Sequence, residues 1–416
     1  MYQIRRFHGQ RLERLNAIIG ELEGHISSFV NLIGSATLPF PEVCQMESLP
    51  GTACRVEGHL HARMFPSTEP VDEAERIIDQ QMRHLFNLDE TYLVSGQPHS
   101  ATQANHAVLR AVLTKPDETV ACLSITDGGH ISHRFGAPDK TKFLPFNLTS
   151  SGIDYTALEK EISQRPTRLI VAGGTSYPLA IDYPRLRTIA NQAGAHLHAD
   201  LAHTAPFIAA GLHPPAFPFV DSATVDTNKN LRGPSGGVLV YREKDAAEIR
   251  RAIFPVLQSS PQPTVMMAKA ACLTCWTHAD LHAYATQMIH HASLLADSMA
   301  SALGTPVFGG TETHLLLFDL TSIGMTGRDA EQALEKARVL VNRNQIPGDP
   351  NTPWIASGIR LGSTVPAILD YDDYDVRALG GAIGAILADR NDDTSTIDRL
   401  IERYHRPLIN TASVPT

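Results

Sequence analysis

Apolar residues change their spacing several times along the chain, and each change marks an element. Between Phe7 and Ser28, Leu12, Leu15, Ile18, Ile19 and Leu22 recur at helical spacing in an otherwise charged segment, which predicts an arm that packs on something else. A polar, proline-containing stretch runs from Pro39 to Pro70, and acids at the start of Glu69–Leu85 mark the next helix. The middle of the chain then alternates. Short apolar runs at Thr119–Leu123, Arg168–Ala172, Ala195–Ala199, Ser222–Val225 and Gly237–Tyr241 read as strands, with helical patterns such as Ala101–Leu113 and Tyr183–Ala193 between several of them.

That alternation predicts an α/β fold: a mostly parallel sheet with helices on both faces, and a site in the loops beyond the carboxyl ends of the strands. From Thr264 to Leu303 there is neither Gly nor Pro, which predicts a long helix or helix pair leaving this domain. Strands at His314–Leu320 and Gly358–Gly362 and helices at Asp329–Arg338 and Asp373–Leu387 then predict a smaller α/β domain. The expected organisation is an N-terminal arm at 1–40, a large domain at 41–280 and a small domain at 281–416.

The 416 residues, 43% apolar and 19% charged, suffice for two or three domains with substantial cores. Thirty-five basic against 44 acidic side chains give a formal charge of -9, so no broad positive field exists for a nucleic-acid partner. The start of the chain turns polar at once, and no apolar stretch nears the roughly 18 residues of a membrane span. Cytoplasmic localisation without a membrane partner is the expectation. Five scattered cysteines do not suggest a disulfide framework, and Cys272-Leu-Thr-Cys275 has no second pair to complete a zinc site, so packing is expected there.

The chemistry concentrates between His198 and Gly237, HADLAHTAPFIAAGLHPPAFPFVDSATVDTNKNLRGPSGG. One strand ends at Asp200 and another near Asp226, with Lys229 in the loop that follows. An acid and an amine on neighbouring strand ends suit a pyridoxal 5'-phosphate (PLP) site, where a lysine holds the cofactor and a carboxylate keeps its ring nitrogen protonated. By spacing alone, a solvated lysine beside a helix-capping aspartate is the favoured explanation of the pattern. His196 and His198 alternate on the preceding strand, but no third ligand is indicated and no metal is expected.

This stretch resembles serine hydroxymethyltransferase, a PLP-dependent family with the aspartate aminotransferase fold. The resemblance rests on DLAHTAPFIAAGLHP and TNKNLRGPSGG, and on GQPHSATQAN at Gly96–Asn105, DGGHISH at Asp127–His133, TSYPLAIDYPRLR at Thr175–Arg187 and NRNQIPGDPNTPWIASGIRLG at Asn342–Gly362. It covers most of Phe29–Asp389 in the family's order. It implies a fold type I PLP-dependent transferase: a mostly parallel, seven-stranded-type sheet in a large domain and a smaller α/β C-terminal domain.

Position by position, the resemblance implies that Lys229 carries PLP and Asp200 pairs with the ring nitrogen. Ser100, Ala101 and Thr102 grip the phosphate, with Ala101 where the family usually has Gly. His130 stacks on the ring, and His203 and Thr175 lie beside it. Arg360 forks the substrate carboxylate, a task suited to planar guanidinium donors. Glu57 shuttles a proton near the substrate, and Asn344 contacts folate. Arg55, where a Tyr is usual, and Ser259 of a Ser pair that replaces a Gly pair, face cofactor phosphate. A homodimer is implied, because family sites borrow residues from the neighbouring subunit.

The departures cluster. Met64-Phe65-Pro66-Ser67 stands where the family has Tyr-Tyr-Gly-Gly, His59 replaces an aromatic, Asn228 a His and Ser235 an Arg. The lost hydroxyls put folate and acid/base contacts in doubt, whereas Ile125 and Ile131 remain at pterin-site positions, so tetrahydrofolate use is left open. The reaction expected is cleavage or formation of the Cα–Cβ bond of serine or threonine, with an aldehyde or one-carbon donor as second reactant. A transaldolase-like specialisation is favoured over ordinary folate-dependent hydroxymethyl transfer, with transamination or racemisation as further alternatives and a non-catalytic paralogue disfavoured.

Overall fold

The computed structural model describes residues 12–388 and 393–408. The chain divides into two compact units, Thr37–Gln287 and Met1–Ala36 together with Met288–Thr416. The described part of the segment read as a separate arm, as far as Ala36, thus belongs to the second unit, and the later boundary falls at 287/288 rather than 280/281, inside the helix His278–Leu303. The part of the predicted first helix before residue 12 lies outside the described residues.

The first unit is built on seven strands: β1 Tyr92–Ser95, β2 Thr119–Cys122, β3 Lys142–Pro145, β4 Thr167–Ala172, β5 His196–Asp200, β6 Ser222–Asp226 and β7 Gly237–Arg242. Their order is β1-β7-β6-β5-β4-β2-β3. The five from β6 to β3 run parallel, and β7 runs antiparallel to both β6 and β1. β1 and β3 escape the sequence reading because they are short and only partly covered, so neither shows a continuous apolar run. Helices α1 Glu69–Phe86, α2 Ala101–Val112, α3 Tyr183–Ala193 and α4 Pro263–Thr274 belong to the same unit. Ala104, Val108 and Leu109 of α2 join Val120, Leu169, Val171 and Leu239 of the sheet in one buried cluster. Every residue of β5 is buried, although His196, His198 and Asp200 make three of its five residues polar. Polar groups in such a strand need partners.

In the second unit β8 Leu315–Asp319, β9 Asn342–Asn344 and β10 Gly358–Gly362 form an antiparallel sheet in the order β8-β10-β9. Its core joins Leu316, Phe318, Ile359 and Leu361 to Leu379 and Ile383 of the helix Asp373–Ala388. Val30–Asn31 pairs in parallel with Val339–Leu340. The helix Glu13–Ser28 buries no residue. Its stripe of Leu15, Ile18 and Leu22 stays about half exposed (47%, 51% and 55%), so among the described residues nothing buries the apolar face expected to pack.

All five cysteines are free. Cys272 is buried and its thiol donates to the Leu231 carbonyl, while Cys275 is only partly covered. Among the described residues, no helix is long and apolar enough to cross a membrane.

Candidate active site

Asp200 ends β5 at 6% exposure. Its Oδ2 accepts hydrogen bonds from His133 Nε2 at 2.7 Å and Asn105 Nδ2 at 2.8 Å, and Oδ1 accepts the Ala202 N–H at 3.0 Å. Burial alone raises a carboxyl pKa; here the His133 bond and charge, then Lys229 and His130, outweigh it and hold Asp200 well below the usual carboxylate range. Asp200 is therefore an anion. Oδ1, with one bond made, keeps a lone pair for a further donor such as a protonated ring nitrogen.

His130 lies on the same site. Burial lowers its pKa to about 4 against the pull of Asp200, so the ring is neutral at pH 7. Ser132 fixes its tautomer: Asn105 Nδ2 donates to Ser132 Oγ, whose own hydrogen then goes to His130 Nδ1 at 2.7 Å, leaving the proton of the ring on Nε2. A neutral, oriented imidazole suits stacking on an aromatic cofactor.

Lys229 follows β6 in a loop tied to its surroundings. Its Nζ lies 3.2 Å from Asp226 Oδ2. Burial raises the Asp226 pKa, opposed by the Lys229 charge. Asn230 Nδ2 donates to the His203 carbonyl at 2.7 Å, which joins the lysine loop to the turn after Asp200. His203 is buried, and the Thr175 N–H donates to Gly128 O at 2.7 Å, bringing that hydroxyl residue beside the DGGH turn.

Ser100 caps α2, its Oγ accepting from Gln103 N. The caps use the Gln103 and Ala104 N–H groups, leaving those of Ala101 and Thr102 at the helix start, where the helix dipole favours an anion. Gly237 opens β7 against this turn: a Cβ there would stand 2.6 Å from Ser100 O and 2.9 Å from Ala101 N, so only glycine fits. Behind the turn, Lys269 of α4 is 1% exposed. Its ammonium donates to Gly96 O (2.7 Å), Pro98 O (2.8 Å) and Gly237 O (3.0 Å), and burial lowers its pKa to about 7, opposed by Glu75 and Asp226.

Glu57 is half-buried in a loop whose backbone is clamped. Arg63 donates through Nη1 to Val56 O at 3.2 Å and Gly58 O at 2.6 Å, through Nε to Asp72 and through Nη2 to Glu75. Gln97 bonds Glu75 and Gly58 O from the other side. Gly58 sits at φ +98°, where a Cβ would strike the Ala62 carbonyl. Arg55 and Ser259 are exposed. Neither they nor Glu57 bond to Lys229 or Asp200; the Val56 N–H instead meets Ser260 Oγ at 3.1 Å, tying the Glu57 loop to the Ser259 segment.

In the second unit, Arg360 of β10 is 7% exposed, and its Nε donates to Asn342 Oδ1 at 3.1 Å. Burial lowers its pKa to about 10, so the guanidinium stays charged. Asn344 lies on the adjacent strand and donates to Gln345 O.

Among the described residues, two groups place three ligand-type atoms within 4.8 Å of one another: His130, His133 and Asp200, and His196, Asp221 and Asp245. His196 thus finds carboxylates rather than His198. The carboxylate of Asp221 is already bonded by Arg187 Nη1, Lys244 Nζ and the Leu197 N–H, which supply the positive charge there. His133, Asn105 and Lys269 are the site residues that sequence reasoning missed. His133 lay within the DGGHISH motif, three residues after His130; Lys269 carried only a weak signal, as the one charged residue of an apolar helix.

An anionic strand-end aspartate with a spare lone pair, a neutral imidazole, an amine on the next strand end and a helix start for phosphate fit PLP, and together with the sheet order they define the fold type I class of PLP-dependent enzymes. The family model for serine hydroxymethyltransferase matches residues 12–383. Relatives named serine hydroxymethyltransferase include one from Coprothermobacter proteolyticus, 34% identical over 387 residues (90% of this chain, 92% of the relative). Others come from Variovorax paradoxus, 33% identical over 382 residues (90% and 91%), and Paracidovorax citrulli, 34% over 372 (88% of each). The chain belongs to the serine hydroxymethyltransferase family.

Proposed function

We propose that the enzyme breaks or forms the Cα–Cβ bond of serine or threonine, with glycine as the other amino acid, and that it is specialised toward transaldolase-like transfer to an aldehyde. Bound PLP would supply a ring that accepts the electrons released at Cα. Lys229 would hold the cofactor covalently, Asp200 its ring nitrogen, Ser100, Ala101 and Thr102 its phosphate, and His130, Thr175 and His203 the ring's surroundings. Arg360 would meet both oxygens of the substrate carboxylate and so fix which Cα bond stands perpendicular to the ring. Glu57 would move the proton of the substrate's β-hydroxyl.

The observation that carries the specialisation is the pair Met64 and Phe65, 67% and 40% exposed, which offers no hydroxyl where family members have two tyrosines. Burial, with Arg250 and Arg63, also lowers the pKa of the neighbouring His59, so the loop loses polarity twice. Turnover of serine and threonine with and without tetrahydrofolate tests the reading. Threonine-dependent transfer to an added aldehyde without folate is the expected result; folate-dependent serine cleavage at housekeeping rates overturns it.

Ordinary folate-dependent hydroxymethyl transfer is the second reading, favoured by Asn344 and by Ile125 and Ile131. Ile131 is 54% exposed and free to meet a flat apolar ligand. We further propose a homodimer, which would cover the exposed Met64, Phe65 and Ser259, and a cytoplasmic location, which accords with five free cysteines. An active monomer by size exclusion contradicts the dimer.

A further inference from the structure

Three polar side chains project from one face of β5, because positions 196, 198 and 200 share the strand's two-residue period. They are too far apart to touch, and each gap is bridged from a neighbouring element. Ser222 Oγ of β6 lies 2.8 Å from His196 Nε2 and 2.8 Å from His198 Nδ1. Asn105 of α2 lies 3.0 Å from His198 Nε2 through Oδ1 and 2.8 Å from Asp200 Oδ2 through Nδ2. All five residues are buried, at 8% exposure or less.

The chain has one consistent direction. Asp200 as an anion only accepts, so Asn105 must present its amide nitrogen there and its oxygen to His198. His198 therefore carries its proton on Nε2, and its Nδ1 accepts the hydroxyl hydrogen of Ser222. Ser222 in turn accepts from His196 Nε2. Every hydrogen points toward Asp200. The remaining nitrogen of His196, Nδ1, faces Asp245 Oδ2 at 3.8 Å, in a cavity of about 660 Å³ lined also by Asp221, Lys244, Arg187 and Arg242.

We propose that His196, Ser222, His198 and Asn105 form a polarised relay that positions Asp200 and keeps it ionised toward the cofactor's ring nitrogen. The four are positioning residues: all are buried, and each acts through the next. Aligned dipoles ending on one carboxylate reinforce one another in a dry interior, and the carboxylate can then face a ring nitrogen without taking its proton. The inference rests on Asp200 being the partner of that nitrogen.

The test compares binding of PLP and of its 1-deaza analogue, in which carbon replaces the ring nitrogen, to cofactor-free protein. The unaltered protein should prefer PLP. His198→Phe cuts both links, and the preference should fall roughly tenfold, about one buried charge-assisted hydrogen bond. His198→Gln, whose amide can donate to Asn105 and accept from Ser222, should restore most of it. Ser222→Ala, a smaller change two links from Asp200, should give a fractional loss with the thermal midpoint little altered. Weakening of both cofactors by the same factor in His198→Phe would show a merely structural role and overturn the relay. No preference in the unaltered protein would instead overturn the role of Asp200 itself. Independently of binding, ¹⁵N spectra of histidine-labelled holoenzyme should show the His198 signal, identified by its loss in His198→Phe, with the proton on Nε2; a proton on Nδ1 overturns the stated direction.

Discussion

The carboxyl end of β5 and the loop from Arg55 to Ser67 belong to the same unit and follow opposite rules. At Asp200 the hydrogen-bonding partners His133 and Asn105 are buried, and the tautomers of His130 and His198 follow from the partners around them. In the loop the backbone is held by Arg63, Glu75 and Gln97, but Arg55, Met64 and Phe65 point outward. The difference separates two duties. The sheet end fixes what the cofactor can do, and a change there disturbs a buried network at a cost of about 1–3 kcal/mol per unsatisfied group. In the loop, Val56 and the Arg63 side chain are buried and belong to the same held framework, whereas Arg55, Met64 and Phe65 are exposed and can be exchanged without disturbing the core.

The largest effect should come at the sheet end. Lys229→Ala should abolish the absorbance of covalently held cofactor; an unchanged spectrum would mean that another amine holds it. Acidification should come next. Burial lowers the pKa values of His130 and His196 to about 4 and of His198 to about 3, from 6.5. Between pH 6.5 and about 3 the unfolded chain therefore binds more protons than the folded one. Stability is full above pH 6.5 and falls on the acid side by a few kcal/mol, read as a falling urea midpoint; a flat profile would contradict the buried neutral histidines.

Smaller effects sharpen the boundary between the two regions. Lys269→Met removes the donor shared by three buried carbonyls behind the turn at Ser100, of which Pro98 O keeps the Gly237 N–H, so PLP affinity should fall roughly tenfold with a lower thermal midpoint; unchanged affinity would separate the turn from its clamp. Tyrosines in place of Met64 and Phe65 should leave stability unaltered, since both sites are exposed. They should raise folate-dependent serine cleavage by about a few-fold. No change in the ratio of serine to threonine turnover would remove the loop from control of specificity.

The same division explains what could be read in advance. Strands β2, β4, β5, β6 and β7 announced themselves by apolar runs, and the helices by their period. Edge strands β1 and β3 did not, because a half-covered strand of four residues carries no clear alternation. Asp200, Lys229 and the cap at Ser100 were legible from strand ends and motif order. Their supports were not: Asn105 and His133 acquire meaning only when α2 and the DGGHISH turn fold over β5, and Lys269 only when three carbonyls from two distant segments converge on it. The alternation of His196 and His198 was visible, but not its use, since Ser222, which bridges the two rings, comes from the neighbouring strand.

The bond from the Val56 amide to Ser260 is one strut of a larger frame. Ser260 O accepts from His99, Gln258 donates to Gln97 O, and Gln103 donates to Leu257 O, so residues 257–260 brace both the phosphate turn and the Glu57 loop. The turn at Ser100 and the loop at Glu57 are in this way mechanically geared together. An engineer who varies either segment alone works against the other, and libraries that aim to change the acceptor should randomise 55–59 and 257–260 jointly.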